Sequence, residues 1–85
     1  MKLTFTDPAW DDYQWWLANN KQVLRRINAL IADIKRNGHE GIGKPEPLKH
    51  SLAGYWSRRI NGEHRLVYAI DTDVVVIIAC RFHYE

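Results

Sequence analysis

Between Lys44 and Tyr68 the chain reads KPEPLKHSLAGYWSRRINGEHRLVY, crowding one loop carboxylate, Glu46, with Lys49, His50, Arg58, Arg59, His64 and Arg65. Arginines on strands that also pair and pack repel one another, so Arg58, Arg59 and Arg65 require counter-charge or an anionic ligand. A phosphate would supply one. Pro45 and Pro47 flank Glu46 and bias its backbone towards an extended conformation. That stiffness suits a carboxylate that has to point at one atom, although a loop glutamate by itself is more often solvated and idle.

The element that carries the arginines is a hairpin, marked by Asn61-Gly62 between two alternating runs. A two-residue loop would pair Ile60 with Glu63 and set Arg58 opposite Arg65. A three-residue loop, Ile60-Asn61-Gly62 with Gly62 left-handed in a bulge, would pair Arg59 with Glu63 and Ser57 with Arg65. The second reading is preferred because it separates Tyr55, Ser57, Arg59, Glu63 and Arg65 from Trp56, Ile60, Leu66, Tyr68 and Ile70. Arg58 and His64 are then the polar exceptions on the apolar side.

The remaining elements read as support. Lys2 to Thr6 alternates as a short strand with Leu3 and Phe5 on one side. Asp7-Pro8 opens a helix, the aspartate as cap and the proline at the first helical position. Trp10, Tyr13, Trp16 and Leu17 form its expected core stripe, with Trp15 off it. After Asn19-Asn20 a longer helix runs from about Lys21 to Asn37, burying Val23, Ile27, Leu30, Ile31 and Ile34 and stopping at Gly38. Its bases Lys21, Arg25, Arg26, Lys35 and Arg36 read as a solvated face, contact with RNA being the sharper alternative.

Segment 38–54 reads as an ordered loop with one helical turn at Leu48 to Leu52. Asp71-Thr72-Asp73 is a second turn, and Val74 to His83 a central strand with a near-continuous apolar run. Alternation places Val76, Ile78, Cys80 and Phe82 on one side and Ile77, Ala79, Arg81 and His83 on the other. If the first side meets the helices, Arg81 and His83 share the charged face with Arg59 and Arg65.

Length and composition bound the answer. At 85 residues with 46% hydrophobic content and four tryptophans, the chain reads as one globular domain, residues 1–85, near the size where stability is marginal. Net charge is only +2, but residues 21–65 carry ten bases against four acids, which fits a polyanionic partner. Cys80, the only cysteine, excludes an internal disulfide and reads as a buried core residue. No signal-like core or membrane-length run is present, so a cytoplasmic protein is expected. Histidine and cysteine spacing gives no metal pattern, and there is no Walker-type loop or dinucleotide fingerprint.

The strings G-K-P-E-P-L-K-H, G-Y-W-S-R-R-I, E-H-R-L-V-Y and C-R-F-H-Y resemble the YoeB toxins of the RelE superfamily over Lys2 to Tyr84. The resemblance implies an α+β, RelE-like (microbial ribonuclease-like) fold, with two N-terminal helices packed on an antiparallel sheet of about four strands. It implies a metal-independent, ribosome-dependent mRNA endoribonuclease with no cofactor. Its partners would be the 70S ribosome with mRNA, a YefM-like antitoxin and a possible second copy, with no membrane. By the same resemblance Glu46 is the general base, Arg65 the transition-state clamp and His83 the general acid. Lys49 and Arg59 would hold phosphates, and Tyr84 would position the RNA or the acid. Two rivals remain: a non-nucleolytic toxin of the wider RelE/ParE superfamily, and a basic RNA-binding module using Tyr55, Trp56, Arg58 and Arg59 as a phosphate and stacking platform.

Overall fold

The computed structural model describes residues 1–82; His83, Tyr84 and Glu85 lie outside the described residues. The elements in chain order are β1 (Lys2–Phe5), α1 (Asp7–Asn19), α2 (Lys21–Asn37), β2 (Glu46–Pro47), β3 (Trp56–Arg59), β4 (Arg65–Asp71) and β5 (Val74–Ala79). A single 3-10 turn, His50–Leu52, lies between β2 and β3. The strands form one mixed sheet in the order β1-β5-β4-β3-β2. Two helices back this sheet, as the α+β expectation has it. There are five strands rather than about four because Glu46–Pro47 adds a two-residue edge strand, and β1 joins the opposite edge parallel to β5.

Helix α1 starts one residue earlier in its capping than the sequence suggests. Thr6, not Asp7, is the cap: its hydroxyl accepts from the Ala9 amide at 3.2 Å, while Asp7 sits in the first turn. Pro8 occupies the start, where no amide donor is needed. The expected aromatic stripe is only partly buried. Ala9 and Trp16 are the buried residues, whereas Trp10 and Leu17 are exposed and Tyr13 is half-buried. Trp10 and Tyr13 instead stack on each other at 5.7 Å, with Phe5 edge-on to both.

Helix α2 follows the periodic reading closely. Asn20 caps it through the Val23 amide, and Gly38 ends it with φ 68°, a conformation favoured for glycine. Leu24, Ile27, Leu30, Ile31 and Ile34 are buried, with Val23 only at the margin. Each such aliphatic burial stabilises by about 1.5–3 kcal/mol. They pack with Trp16, Ile60, Leu66, Tyr68, Val75, Ile77 and Cys80 in one core between helices and sheet.

The hairpin differs from both registers weighed from sequence. Trp56 pairs with Tyr68, Ser57 with Val67, Arg58 with Leu66 and Arg59 with Arg65. The loop is Asn61-Gly62-Glu63, closed by the Ile60 amide donating to the His64 carbonyl at 3.0 Å. Asn61 explains the choice, since its Oδ1 accepts from the amides of Glu63 (2.9 Å) and His64 (2.8 Å) and builds the turn around its own side chain. Gly62 therefore does not take the left-handed conformation of the expected bulge. The register shifts by two relative to the preferred reading, and a shift of two preserves the faces.

Strand β5 is flanked by β1 and β4, as a central strand should be, but it ends at Ala79 rather than at His83. A bulge opposite Val67 and Tyr68 breaks its alternation: Val67 pairs with Ala79 and Tyr68 with Ile77, leaving Ile78 extra. Val75, Ile77 and Cys80 therefore face the helices, while Val76 and Ile78 are half-buried. The grouping of Val76 and Ile78 with Cys80 fails for this reason. Beyond Ala79 the regular ladder ends and side chains take the backbone amides, Cys80 N–H on Asp12 Oδ2 at 3.0 Å and Phe82 N–H on His64 Nδ1 at 2.6 Å.

Candidate active site on the open sheet face

Pairing places the charged residues without reference to side-chain contacts. Glu46 lies opposite Ser57, Ser57 opposite Val67, and Val67 opposite Ala79, so these four form one row across the sheet face turned away from the helices. Arg59 and Arg65 lie opposite each other two residues further along their strands, on that same face. Strands about 4.8 Å apart and about 3.4 Å of rise per residue put the Cα atoms of Glu46 and Arg65 roughly 12 Å apart. Two long side chains converging from that distance can bracket a sugar and its phosphate.

The site is a strip of that face, covered in its middle, where Ser57 and Val67 are both buried. Glu46 and Arg59 are exposed and Arg65 is half-buried. Among the described residues no carboxylate pairs with Arg59 or Arg65. Arg65 is oriented by its own hairpin, Nη1 donating to the carbonyls of Asn61 at 2.8 Å and His64 at 3.1 Å. Arg59 is tied through its backbone, its amide on Gly43 O at 2.7 Å and its carbonyl taking a bond from Arg26 at 3.2 Å. Lys49 is exposed at the start of the 3-10 turn, on the loop that continues from Glu46. A shallow hollow lined by Ala32, Lys35 and Arg36 lies on α2, away from this strip.

Arg58, the third arginine, has a different task. Its side chain is fully buried and pairs with Asp33 of α2. The guanidinium also donates to the carbonyls of Gly38 (2.7 Å), Glu40 (3.0 Å) and Ile42 (3.1 Å), and to the Tyr68 hydroxyl at 3.3 Å. Its counter-charge is thus internal, and no phosphate is needed for it. The bond from Arg58 holds the Asp33 carboxyl below the usual carboxylate range, against the upward push of partial burial. Gly43 completes the loop: at φ 81°, an added Cβ would meet Leu30 at 2.7 Å and the Arg59 carbonyl at 3.2 Å.

This arrangement removes the stacking platform of the RNA-binding rival. Arg58 is unavailable, and Trp56 is half-buried with its ring stacked on His39 at 4.0 Å and 11°. Burial, followed by the Arg58 charge, lowers the His39 pKa, and His39 Nδ1 lies 3.4 Å from the Tyr68 hydroxyl. Burial raises the Tyr68 pKa in turn, with Arg58 opposing. Asp33, His39 and Tyr68 were not read as functional from sequence. The only signal was indirect: a glycine-rich segment whose carbonyls would have to find donors.

The segment after β5 meets β4 at Phe82, whose carbonyl accepts from the Arg65 amide at 2.9 Å. Arg81 does not join Arg59 and Arg65 as alternation suggested. Its guanidinium lies 3.6 Å over the Trp15 ring and 4.5 Å from Phe82, so a cation-π stack ties it to α1. His83 and Tyr84, the expected acid and its neighbour, fall outside the described residues.

The chain is similar to known proteins in both sequence and fold. Residues 5–84 match the model of the YoeB-like toxin of bacterial type II toxin-antitoxin system. A Toxin YoeB from Synechocystis is 59% identical over 85 residues, covering 100% of this chain and 99% of its own. The toxin of a YoeB-YefM complex from Staphylococcus aureus superimposes with a TM-score of 0.92 at 50% identity, covering 99% of this chain and 98% of that one. A YoeB dimer from the same species gives 0.93 at 49% identity and the same coverage. The chain belongs to the YoeB toxin family of type II toxin–antitoxin systems.

Proposed function

We propose that the chain is a ribosome-dependent mRNA endoribonuclease that cleaves in the ribosomal A site and so inhibits translation. The observation that carries this is the placement of Glu46, Arg59 and Arg65 on one sheet face, two strand spacings from base to clamp. Glu46 takes the proton of a ribose 2′-hydroxyl, and the 2′-oxygen attacks the adjacent phosphorus. Arg65 stabilises the phosphorane, with Arg59 and Lys49 on flanking phosphates. The bond to the 5′-oxygen breaks, that oxygen takes a proton from His83, and a 2′,3′-cyclic phosphate remains. Tyr84 positions the RNA or the acid.

The nucleophile belongs to the substrate, so the protein has only to supply base, charge and acid. A positioned acid or base contributes about 10²–10⁴-fold, and a preorganised charge about 10²–10³-fold. Holding the 2′-oxygen in line supplies much of the remainder. Exposed side chains such as Glu46 and Arg59 cannot do that alone, which gives a physical reason for a second surface, the ribosome, to order the message. A YefM-like antitoxin with an acidic or apolar tail fits over the same strip, and the S. aureus YoeB dimer supports a possible homodimer.

Primer extension on translated mRNA tests the reading. Wild type should produce A-site cuts, and Glu46→Ala, Arg65→Ala and His83→Ala should each lose them while still binding ribosomes. A His83→Ala protein that inhibits translation as well as wild type would favour the non-nucleolytic readings.

A further inference from the structure

We propose that His64 is a positioning residue for the segment after β5: its ring holds the backbone amide of Phe82 and so fixes the residue to which His83 is joined. This rests on the nuclease reading, in which His83 is the acid.

His64 is 9% exposed, a polar side chain on the core side of β4 that neither the hairpin nor the strip accounts for. Its Nδ1 lies 2.6 Å from the Phe82 nitrogen. An amide N–H can only donate, so Nδ1 is the lone-pair nitrogen and the ring proton sits on Nε2. Nε2 faces the Glu63 carboxylate at 3.7 Å. Trp16 fixes the ring plane from the helix side, edge-on at 4.8 Å and 85°. The same indole donates from Nε1 to the Cys80 carbonyl at 2.8 Å, so one α1 side chain braces both His64 and the segment it holds.

The other half of the grip comes from the next residue. Arg65 donates its amide to the Phe82 carbonyl at 2.9 Å. Both backbone polar groups of Phe82 are therefore held by two consecutive residues, a side chain and then a main chain. Phe82 takes φ 63°, a left-handed conformation rare for an aromatic residue, which persists only where the surroundings over-determine it. It is 54% exposed, so its own side chain does not bury it in place. The hydrogen bonds set the turn. Because Arg65 is also the proposed phosphorane clamp, this grip joins the clamp to the attachment point of the acid through one peptide unit.

The test uses the pair His64→Asn and His64→Gln, with His64→Ala as the deletion. The Asn Oδ1 falls near the place of Nδ1 and keeps an acceptor for Phe82; the Gln oxygen falls nearer Nε2. Amide hydrogen exchange of Phe82, read by NMR on the full chain, reports the anchor without any substrate. Wild type and H64N should protect this amide, and H64Q and H64A should not. Single-turnover cleavage on programmed ribosomes should fall about 10- to 100-fold in H64Q and H64A, the scale of a small misplacement. It should stay within about threefold in H64N, with ribosome affinity unchanged throughout. An unprotected Phe82 amide in wild type, full cleavage by H64Q, or equal losses in H64N and H64Q would overturn the proposal. Should H64A fail to fold, the Asn and Gln pair decides. A wild-type protein that protects the amide yet leaves mRNA intact would overturn the nuclease reading and this role with it, while the exchange arm upholds the anchor.

Discussion

Arg58 of β3 and Asp33 of α2 form an ion pair whose guanidinium has no exposed surface. Around it close the carbonyls of Gly38, Glu40 and Ile42, so one arginine gathers the whole approach to β2. The edge strand that carries Glu46 is only two residues long and cannot hold itself in place by its own ladder. Its position depends on this buried clamp and on the Gly43 carbonyl bonded to the Arg59 amide.

Removing the arginine should therefore cost far more than a surface charge. Arg58→Ala takes a donor from three carbonyls and the counter-charge from the Asp33 carboxylate, and should destabilise by about 3–5 kcal/mol. Arg58→Lys should recover only part, because an ammonium cannot reproduce the guanidinium fork. Urea denaturation measures both. Asp33 adds a pH signature: its folded pKa lies below the ordinary 3.8, so its contribution is complete above that value and is lost as pH falls through the lower folded one. D33N should flatten that acid-side slope; an unchanged slope would remove Asp33 from the account.

His39 should make the fold sensitive to mild acid. Burial, then the Arg58 charge, lowers its folded pKa from the ordinary 6.5, so the unfolded chain binds the proton first. Stability then rises with pH between the folded value and about 6.5, and falls on acidification through that window. His39→Phe keeps a ring on Trp56 and cannot titrate. Melting temperatures taken from pH 7 down to 5 should drop less in this variant than in wild type.

How much of this the sequence revealed follows from the range of each interaction. Helix α2 was legible from end to end because cap, stripe and glycine stop are all local. The common face of Arg59 and Arg65 was legible too, since strand parity survives a register shift of two; the place of Glu46 beside them was not, because Glu46 read as a loop residue and not as an edge strand. The shift itself was not, because Asn61 chooses the turn by bonding to amides two and three residues on. Which of counter-charge or ligand Arg58 would take was not legible, because its partner, Asp33, lies on another element 25 residues away. The end of β5 was misplaced for a similar reason: Asp12 and His64 capture its backbone from distant elements.

Cys80 should be chemically silent in the native state. It is fully buried, its Sγ lies 3.7 Å from the Ala9 carbonyl, and burial with the nearby Asp12 charge pushes its thiol up to about 12. Since the thiolate is the reactive form, a disulfide reagent at pH 8 should modify native protein at least about 100-fold more slowly than urea-unfolded protein. Rapid native labelling would mean that the β5 end opens readily.

The two exposed charges of the strip should separate in their salt dependence. Arg59 carries no paired carboxylate among the described residues, and its proposed partner is a flanking phosphate. Arg59→Ala should weaken association with programmed ribosomes and reduce the slope of log affinity against log salt by about 0.7–1. Glu46→Gln removes a carboxylate from the same face and should leave that slope no weaker, since no phosphate contact is lost. Yet it should lower cleavage within the bound complex by about 10²–10⁴-fold. Binding titrations at several salt concentrations, followed by single-turnover cleavage at saturation, measure both. If Glu46→Gln changed binding alone, or Arg59→Ala changed the chemical step alone, the roles assigned across this face would have to be exchanged.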